Sequence, residues 1–592
     1  MPPLPALAAL LPGIPLTPPP PLPAAAPRPA LQRPATPWNT ARVQGTSISV
    51  NGLRQQALWL QEADELWLPL EVLEGQLGVS RSPGANGSME LEWFGQKRSV
   101  SAARQRSLED EVAVPVRDLL DAVGVVARTD GRELSLQLPP RPLQAIRWSN
   151  QGVSGQRVVL DLSAPALVRS GEDRLLIGIE VTTAQLEQLK QLGLQPSQRD
   201  GWLSVQVPRD GEHLSLGGPW RLVLDLPLMG DDAASTATTP SPAPERDPRL
   251  VTLQAQGLKL ERRVGRIGSR QVLINSVRLD PRQVPLELRP LNRSDGMQGL
   301  SSLSQLARQE QALIAINGGY FNRVNRLPLG AMREQGRWLS GPILNRGAAG
   351  WKAGDLPRFD RLMLVETIED SSRQRWSVTS VNSGYVQKGL ARYTADWGSR
   401  YQPITGTEMG VLVRNGVVQE RYELGAMAPG IPLREGDLLL VARGGVTVPW
   451  QSGERLTLQS RPTSPVGEQP NVLGGGPLLV QNGRVVLNGA AEGFSSGFLA
   501  QGAPRTVVGS DGRQLWLITV QGVNNPGPTL METALLMQQE GLQDALNLDG
   551  GSSTGLVLAD VHTVKGRGVA ASVHNGLGLV PRLEQARTTE RP

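Results

Sequence analysis

From about Ala41 the chain is written in short runs of alternating apolar and polar residues: SISVNGL, ELWLPLEVLEGQLGV, SMELEWFG, VAVPVRDLLDAVGV and ELSLQLP. Alternation with a period of two predicts half-buried strands. In two of these runs a proline interrupts the alternation, and the residues after it take helical spacing up to a glycine, which predicts short helices over Pro69 to Gly78 and Pro115 to Gly124. The segments LPLEVLEGQLGV and VPVRDLLDAVGV form a weak internal repeat. A second region, Leu143 to Leu228, carries the strand-like runs RVVLDLSAP, RLLIGIEV, WLSVQVP and RLVLDLP around one polar helix, TAQLEQLKQLG. Periodicity then vanishes in GDDAASTATTPSPAPERDP, Gly230 to Pro248, whose Ser, Thr, Ala, Asp and Pro content predicts a linker. The pattern resumes after residue 249 and persists to about 583.

These breaks predict six segments: a Pro/Ala-rich leader at 1–40, modules at 41–140 and 141–229, a linker at 230–248, a large domain at 249–583 and a flexible tail at 584–592. A chain of 592 residues is too long for one ordinary core. Its 66 Gly and 48 Pro favour turns over long helices and predict mostly β structure. The fold class expected is multidomain α+β, strand-rich, with a C-terminal mixed α/β domain preceded by small α+β and β accessory domains.

The 60 basic and 55 acidic residues are interspersed without a long Lys/Arg block, which argues against a nucleic-acid surface. There is no cysteine, so disulfides, thiolate metal sites and a Cys nucleophile are excluded, as suits an envelope protein. The leader has an apolar stretch from Leu4 to Leu11 with no basic residue before it; it reads as a damaged or mis-started export signal or as a Pro-rich leader. No run is long enough to span a bilayer. The expected location is periplasmic, envelope-bound or secreted.

Candidate chemistry lies in the last domain. Ser302 and Gln305 stand at capping-box spacing before a short helix, after which a strand ends in Asn317-Gly318-Gly319-Tyr320-Phe321-Asn322. The glycines allow a sharp turn, and the Asn and Tyr side chains suit sugar hydroxyls. Gly474 to Gly476 precede PLLV, and Asn482-Gly483 predicts a hairpin, a better reading of that glycine run than an anion loop. Pro504-Arg505-Thr506 enters a strand where a guanidinium and a hydroxyl suit a phosphate. Thr529 and Glu532 again have capping-box spacing, so Glu532 serves equally as cap or catalyst. Beyond that helix, ALNLDGGSST sets Asn547, Asp549, Gly550, Gly551 and Ser552 at a strand end, with the glycines expected to clear space beside the acid. Glu408 is a third carboxylate. His213, His562 and His574 show no metal-ligand spacing, and no metal or other cofactor is implied.

The order AINGGYF, GGGPLLVQNG, PRTVVG, a TL-x-E helix, NLDGGSST and VHNGLGLVP resembles the phosphodiester glycosidase family over residues 250–582, through its branch that removes N-acetylglucosamine from sugar-1-phosphodiesters and its exopolysaccharide-related bacterial members. Two positions depart from the family pattern: Ala503 stands where a His often precedes the PRT motif, and His574 precedes Asn575 in a segment that often reads VAN-x-L. The resemblance implies hydrolysis of a sugar-1-phosphodiester. Asp549, with Glu532 as second carboxylate, would serve the sugar C1, Arg505 and Thr506 the phosphate, and Asn317, Gly318, Gly319, Tyr320, Asn322, Asn547, Gly550, Gly551 and Ser552 the substrate. The runner-up is a noncatalytic envelope protein binding glycan in the same cleft. The VNG strand and (V/L)P-x-x-x-L-x-x-x-x-G helix of the first module resemble the copper amine oxidase N-terminal-like stalk module, here without a copper-binding His. The LDL-and-proline strands of the second resemble the AMIN type of β domain, which implies peptidoglycan as a partner.

Overall fold

The computed structural model describes residues 42–84, 88–108, 111–150, 156–170, 174–206, 212–226, 244–567 and 570–582. The leader, most of the linker and the tail lie outside the described residues. Among those described are 49 strands and seven α-helices, the longest of which, Leu530–Gln539, has ten residues. The chain is therefore mostly β, and the α+β and mixed α/β expectation is corrected. In the last domain neighbouring strands pair antiparallel except Arg375–Val381 with Gly389–Tyr393, and antiparallel pairs need only turns, whereas parallel ones need long crossovers, usually helical. The glycine- and proline-rich text supplies turns.

The local signals are built as written. After Pro69 one helical turn, Leu70–Val72, widens into a π-type turn, Leu73–Leu77, and stops at Gly78 with φ +77°. Helix Arg117–Val123 stops at Gly124 with φ +90°. A side chain at either glycine would be strained, whereas glycine closes the helix freely. Asn482 and Gly483 both take positive φ, 50° and 73°, and join Leu478–Gln481 to Arg484–Val485 as a two-residue hairpin.

Residues 42–226 share one contiguous apolar core that runs from Ile48 and Trp59 through Leu73 and Trp93 to Val158, Leu203 and Leu224. The composition change near residue 140 is thus not a gap in packing: Gly78 lies against Val168, and the Phe94 N–H donates to Ser215 Oγ across the two halves. The C-terminal domain has two sheets that matter for the site. One has seven strands in the order Lys259–Ile267, Arg270–Leu279, Leu515–Gly522, Arg505–Ser510, Asp544–Asn547, Leu478–Gln481, Arg484–Val485. The other has five, Leu286–Leu291, Gly576–Pro581, Ile314–Asn317, Gly555–Leu558, Val561–Lys565. Among the described residues no helix is long and apolar enough to cross a membrane.

Candidate functional site

The strands Ile314–Asn317 and Asp544–Asn547 are inner strands of their two sheets, flanked on both sides, and their side chains are almost wholly buried. Such apolar runs are held rigidly, so the polar residues at their ends arrive in fixed positions. The ends are tied together. Asn317 Nδ2 donates to the Asp549 carbonyl at 2.7 Å, and Asn317 Oδ1 accepts from Thr506 Oγ1 at 2.7 Å and from the Gly555 N–H at 3.0 Å. The Asp549 N–H donates back to the Gly318 carbonyl at 3.0 Å. Asn317 and Thr506 are fully buried and spend these atoms on one another, so they hold the Asp549 loop where sequence reasoning had them touching sugar or phosphate.

The glycines do a related job. A Cβ on Gly550 would stand 2.8 Å from the Pro504 carbonyl oxygen, and one on Gly319 would stand 2.4 Å from that of Gly474. Gly318 has the same crowding, its Cβ position lying 2.0 Å from Asn575 Oδ1, while Gly551 has φ +63° and donates its N–H to Pro504 O at 2.9 Å. The Cβ side of Gly550 is filled by Pro504 backbone and Gly551 takes the left-handed conformation, so each glycine has a local steric reason to be there. Gly474 to Gly476 likewise donate their N–H groups to Ala331, Gly347 and Asn547 carbonyls, which supports the hairpin reading over an anion loop.

Around Asp549 the site turns cationic. Its Oδ1 accepts from the Gly550 N–H at 3.1 Å, and its Oδ2 lies 3.7 Å from Arg323 Nη2. Arg323 also donates to Ser552 Oγ at 3.3 Å and to Ser553 Oγ at 3.2 Å, and pairs with Glu71 of the N-terminal body. Asn322 shapes the turn that carries it, Oδ1 accepting from the N–H groups of Val324 and Asn325. On another side stands Tyr320, whose hydroxyl donates to the Gly476 carbonyl at 2.7 Å and accepts from Asn547 Nδ2 at 2.9 Å. Burial first, and then the Asp549 charge, push the Tyr320 phenol well above its ordinary range, while Arg346 and Arg505 pull the other way. It is a neutral hydrogen-bonding group. Asn547 Oδ1 is a buried acceptor with no protein partner.

Arg346 lies over the rings of Phe494 and Tyr320, 4.2 and 5.3 Å from their centroids, and donates Nε to the Glu492 carbonyl at 3.3 Å. Burial lowers its pKa, and no carboxylate among the described residues comes within ion-pair distance. A desolvated, unneutralised guanidinium of this kind favours an anion. Arg505 is buried beneath Phe498, donating Nε to the Pro528 carbonyl at 3.1 Å and Nη2 to that of Gln501. It adds positive charge near Asp549, with part of its fork spent on backbone.

The other carboxylates sit elsewhere. Glu532 closes a capping box, accepting from the Thr529 N–H at 2.8 Å, and pairs with Arg270 at 3.2 Å. Burial would push its pKa up, but the Thr529 hydrogen bonds and the Arg270 charge prevail and hold it below the usual range. Glu408 is buried against Arg443 and Tyr401 in a separate sheet region. His574 bonds the Met297 carbonyl through Nε2 at 2.9 Å and Asn575 through Nδ1 at 3.1 Å, a structural link behind the Asn317 turn. Among the described residues no group of three or more His, Asp or Glu is placed to hold a metal. Sequence reasoning missed Arg323, Arg346 and Glu71. Arg323 directly follows the quoted AINGGYFN, the one local signal that pointed to it; Arg346 lies in no motif.

A family model described as phosphodiester glycosidase matches residues 398–580, a span that includes Arg505 and Asp549. The crystal structure of a hypothetical protein from Synechocystis is 30% identical, with 91% of this chain and 99% of that one covered and a TM-score of 0.53. A putative exported protein from Burkholderia pseudomallei is 17% identical over 75% of this chain and 98% of its own, TM-score 0.42. The catalytic domain of zebrafish N-acetylglucosamine-1-phosphodiester α-N-acetylglucosaminidase, auto-inhibited by its pro-peptide, is 15% identical over 55% of this chain and 82% of its own, TM-score 0.30. No curated protein matches the chain.

Proposed function

The chain belongs to the same family as the Synechocystis protein and carries a phosphodiester glycosidase domain, and from that premise we propose that it hydrolyses a sugar-1-phosphodiester in envelope or exopolysaccharide glycans. The observation that carries the reading is one buried acid, Asp549, set among three guanidinium groups, those of Arg323, Arg346 and Arg505, with a neutral Tyr320 hydroxyl between. An anionic leaving group needs the cations, and a developing positive charge at C1 needs the acid.

In the reaction, water oxygen bonds to C1 as the C1–O bond breaks. The glycosidic oxygen departs with phosphorus as a phosphate monoester, acidic enough to leave with little protonation; one water proton stays on the new C1 hydroxyl and the other passes to solvent. Asp549 supports C1 or the attacking water. Arg346 and Arg505 hold the phosphate, while Asn547 Oδ1 and Tyr320 meet sugar hydroxyls. Asn317, Thr506 and the glycines keep the acid in place.

The full chain incubated with a synthetic N-acetylglucosamine-1-phosphodiester in ¹⁸O-labelled water is the test. Label at the sugar C1 hydroxyl is expected. Label in the phosphate would mean cleavage at phosphorus, and binding without turnover would leave a glycan-binding protein; either result overturns the proposal. An export route and peptidoglycan binding through the 141–229 module belong to the same proposal, checked by fractionating cells and by pull-down on purified wall.

A further inference from the structure

The N-terminal body does not hang free of the C-terminal domain. Glu71 pairs with Arg323, Glu74 with Arg326, and Glu111 with Arg567 at 3.3 Å, while Arg81 donates to the Arg323 carbonyl. Between the two bodies lies a cavity of about 520 Å³, and Arg323 and Ser552 are in its wall. Arg323 is also the guanidinium beside Asp549, so the cavity adjoins the proposed reaction centre.

Two features of the wall point to a ligand. First, it is rich in buried polar atoms that the protein leaves without hydrogen bonds: Gln76 Nε2 and Oε1, Gln55 Nε2, Ser304 Oγ and Glu71 Oε2. Gln76, Gln55 and Ser304 are 1%, 8% and 4% exposed. Buried polar groups are ordinarily paired, and leaving one unpaired costs free energy, so such a concentration in one cavity calls for a polar occupant. Second, among the described residues of the wall seven Lys and Arg side chains face three carboxylates. One of the basic groups, Arg169, hydrogen-bonds Gln55 Oε1 at 3.4 Å and has no carboxylate within ion-pair distance among the described residues. Burial lowers its pKa, as expected of a positive charge that lacks compensation.

Amide and hydroxyl groups match sugar hydroxyls, the Phe321 ring in the same wall matches the apolar face of a sugar, and the excess of guanidinium matches a negative charge. We propose that this interdomain cavity is a binding subsite for an anionic sugar, one bearing a phosphate or a carboxylate, and that it holds the part of the substrate beyond the scissile linkage. The second half of that statement rests on the sugar-1-phosphodiester reading above; the first does not. The N-terminal body then acts as half of the substrate site.

The full chain is titrated calorimetrically with glucose 6-phosphate, glucuronic acid, glucose and inorganic phosphate. At least one of the two anionic sugars is expected to bind tenfold or more tighter than glucose and tighter than inorganic phosphate, and which one binds identifies the anion. Gln76→Leu and Arg169→Met are each expected to weaken that binding at least tenfold and to raise KM for a phosphodiester substrate with little change in kcat. Arg169 is half-buried, so its variant serves even where Gln76→Leu melts too low. Glucose binding as well as its anionic analogues, inorganic phosphate alone matching them, or Arg169→Met binding unchanged would each overturn the subsite and leave a water-filled seam. Anionic-sugar binding in a chain without turnover would instead sink the hydrolase reading and spare the subsite, while turnover without such binding would do the reverse.

Discussion

Two buried carboxylates, Glu408 and Asp549, sit in the same C-terminal domain and are used differently. Glu408 is saturated at close range: Arg443 Nε at 2.7 Å, the Tyr401 hydroxyl at 2.7 Å, and the N–H groups of Ile404 and Thr405 at 3.2 and 3.3 Å. Asp549 Oδ1 accepts from the neighbouring Gly550 N–H at 3.1 Å, and its Oδ2 lies 3.7 Å from Arg323, a guanidinium that also meets two serines and Glu71. The first arrangement offsets the cost of burying a charge and occupies both Glu408 oxygens. The second places a buried carboxylate beside Arg323, which lines the interdomain cavity, and near Arg346, which has no carboxylate within ion-pair distance among the described residues. Burial alone does not separate structure from chemistry; what else the neighbouring cations face does.

The comparison breaks most sharply at Asp549. Asp549→Asn is expected to lower kcat on the phosphodiester substrate about a thousandfold, within the range of a lost acid–base group, with a melting temperature near that of the parent; retained activity would remove the acid from the mechanism. Arg443→Met strands Glu408 without its cation and should cost about 3 to 5 kcal/mol of stability in denaturant titration, while the fraction that stays folded turns over normally. A stable Arg443→Met would mean that the saturated shell contributes little.

Acidification probes the support behind the site. Burial depresses the pKa of His574 from the usual 6.5 to about 4, against the Met297 hydrogen bond. The unfolded chain therefore binds a proton that the folded chain does not between those values, so stability is unaffected above about 6.5 and falls as pH drops towards 4, by about 3 kcal/mol from this group when the window has been crossed. His574→Gln should flatten that part of a stability–pH curve, and an unchanged curve would contradict the buried neutral imidazole. The smallest effect is expected at the helix cap: Thr529→Ala removes the hydroxyl that accepts the Glu532 N–H and should cost about 1 kcal/mol, read as a shift in denaturation midpoint.

Much of the local architecture was legible. Ser302 and Thr529 cap their helices as their spacing implies, Gly78 and Gly124 end theirs in the left-handed region, and Asn482-Gly483 turns its hairpin. Each is decided by a few adjacent residues. The meaning of NGGYFN and NLDGG was legible only in part, because their glycines answer to backbone that arrives from elsewhere: Pro504 beside Gly550, Gly474 beside Gly319. The polar residues of the two motifs divide in the same way, Asn317 and Asn322 shaping turns while Tyr320 packs against the Arg346 guanidinium and bonds Asn547.

The sequence by itself determined where strands, caps and turns fall, and that an acid would stand at the end of the ALNL strand, because periodicity and turn chemistry act over a few residues. Only the tertiary structure decided which cations surround that acid. Arg323 comes with the NGGYFN turn and Arg346 from the loop before the strand Gly347–Trp351, while Glu71 reaches Arg323 from 252 residues away in the N-terminal body. Such contacts depend on how sheets pack and domains dock, a long-range outcome of burying apolar surface that no local pattern records.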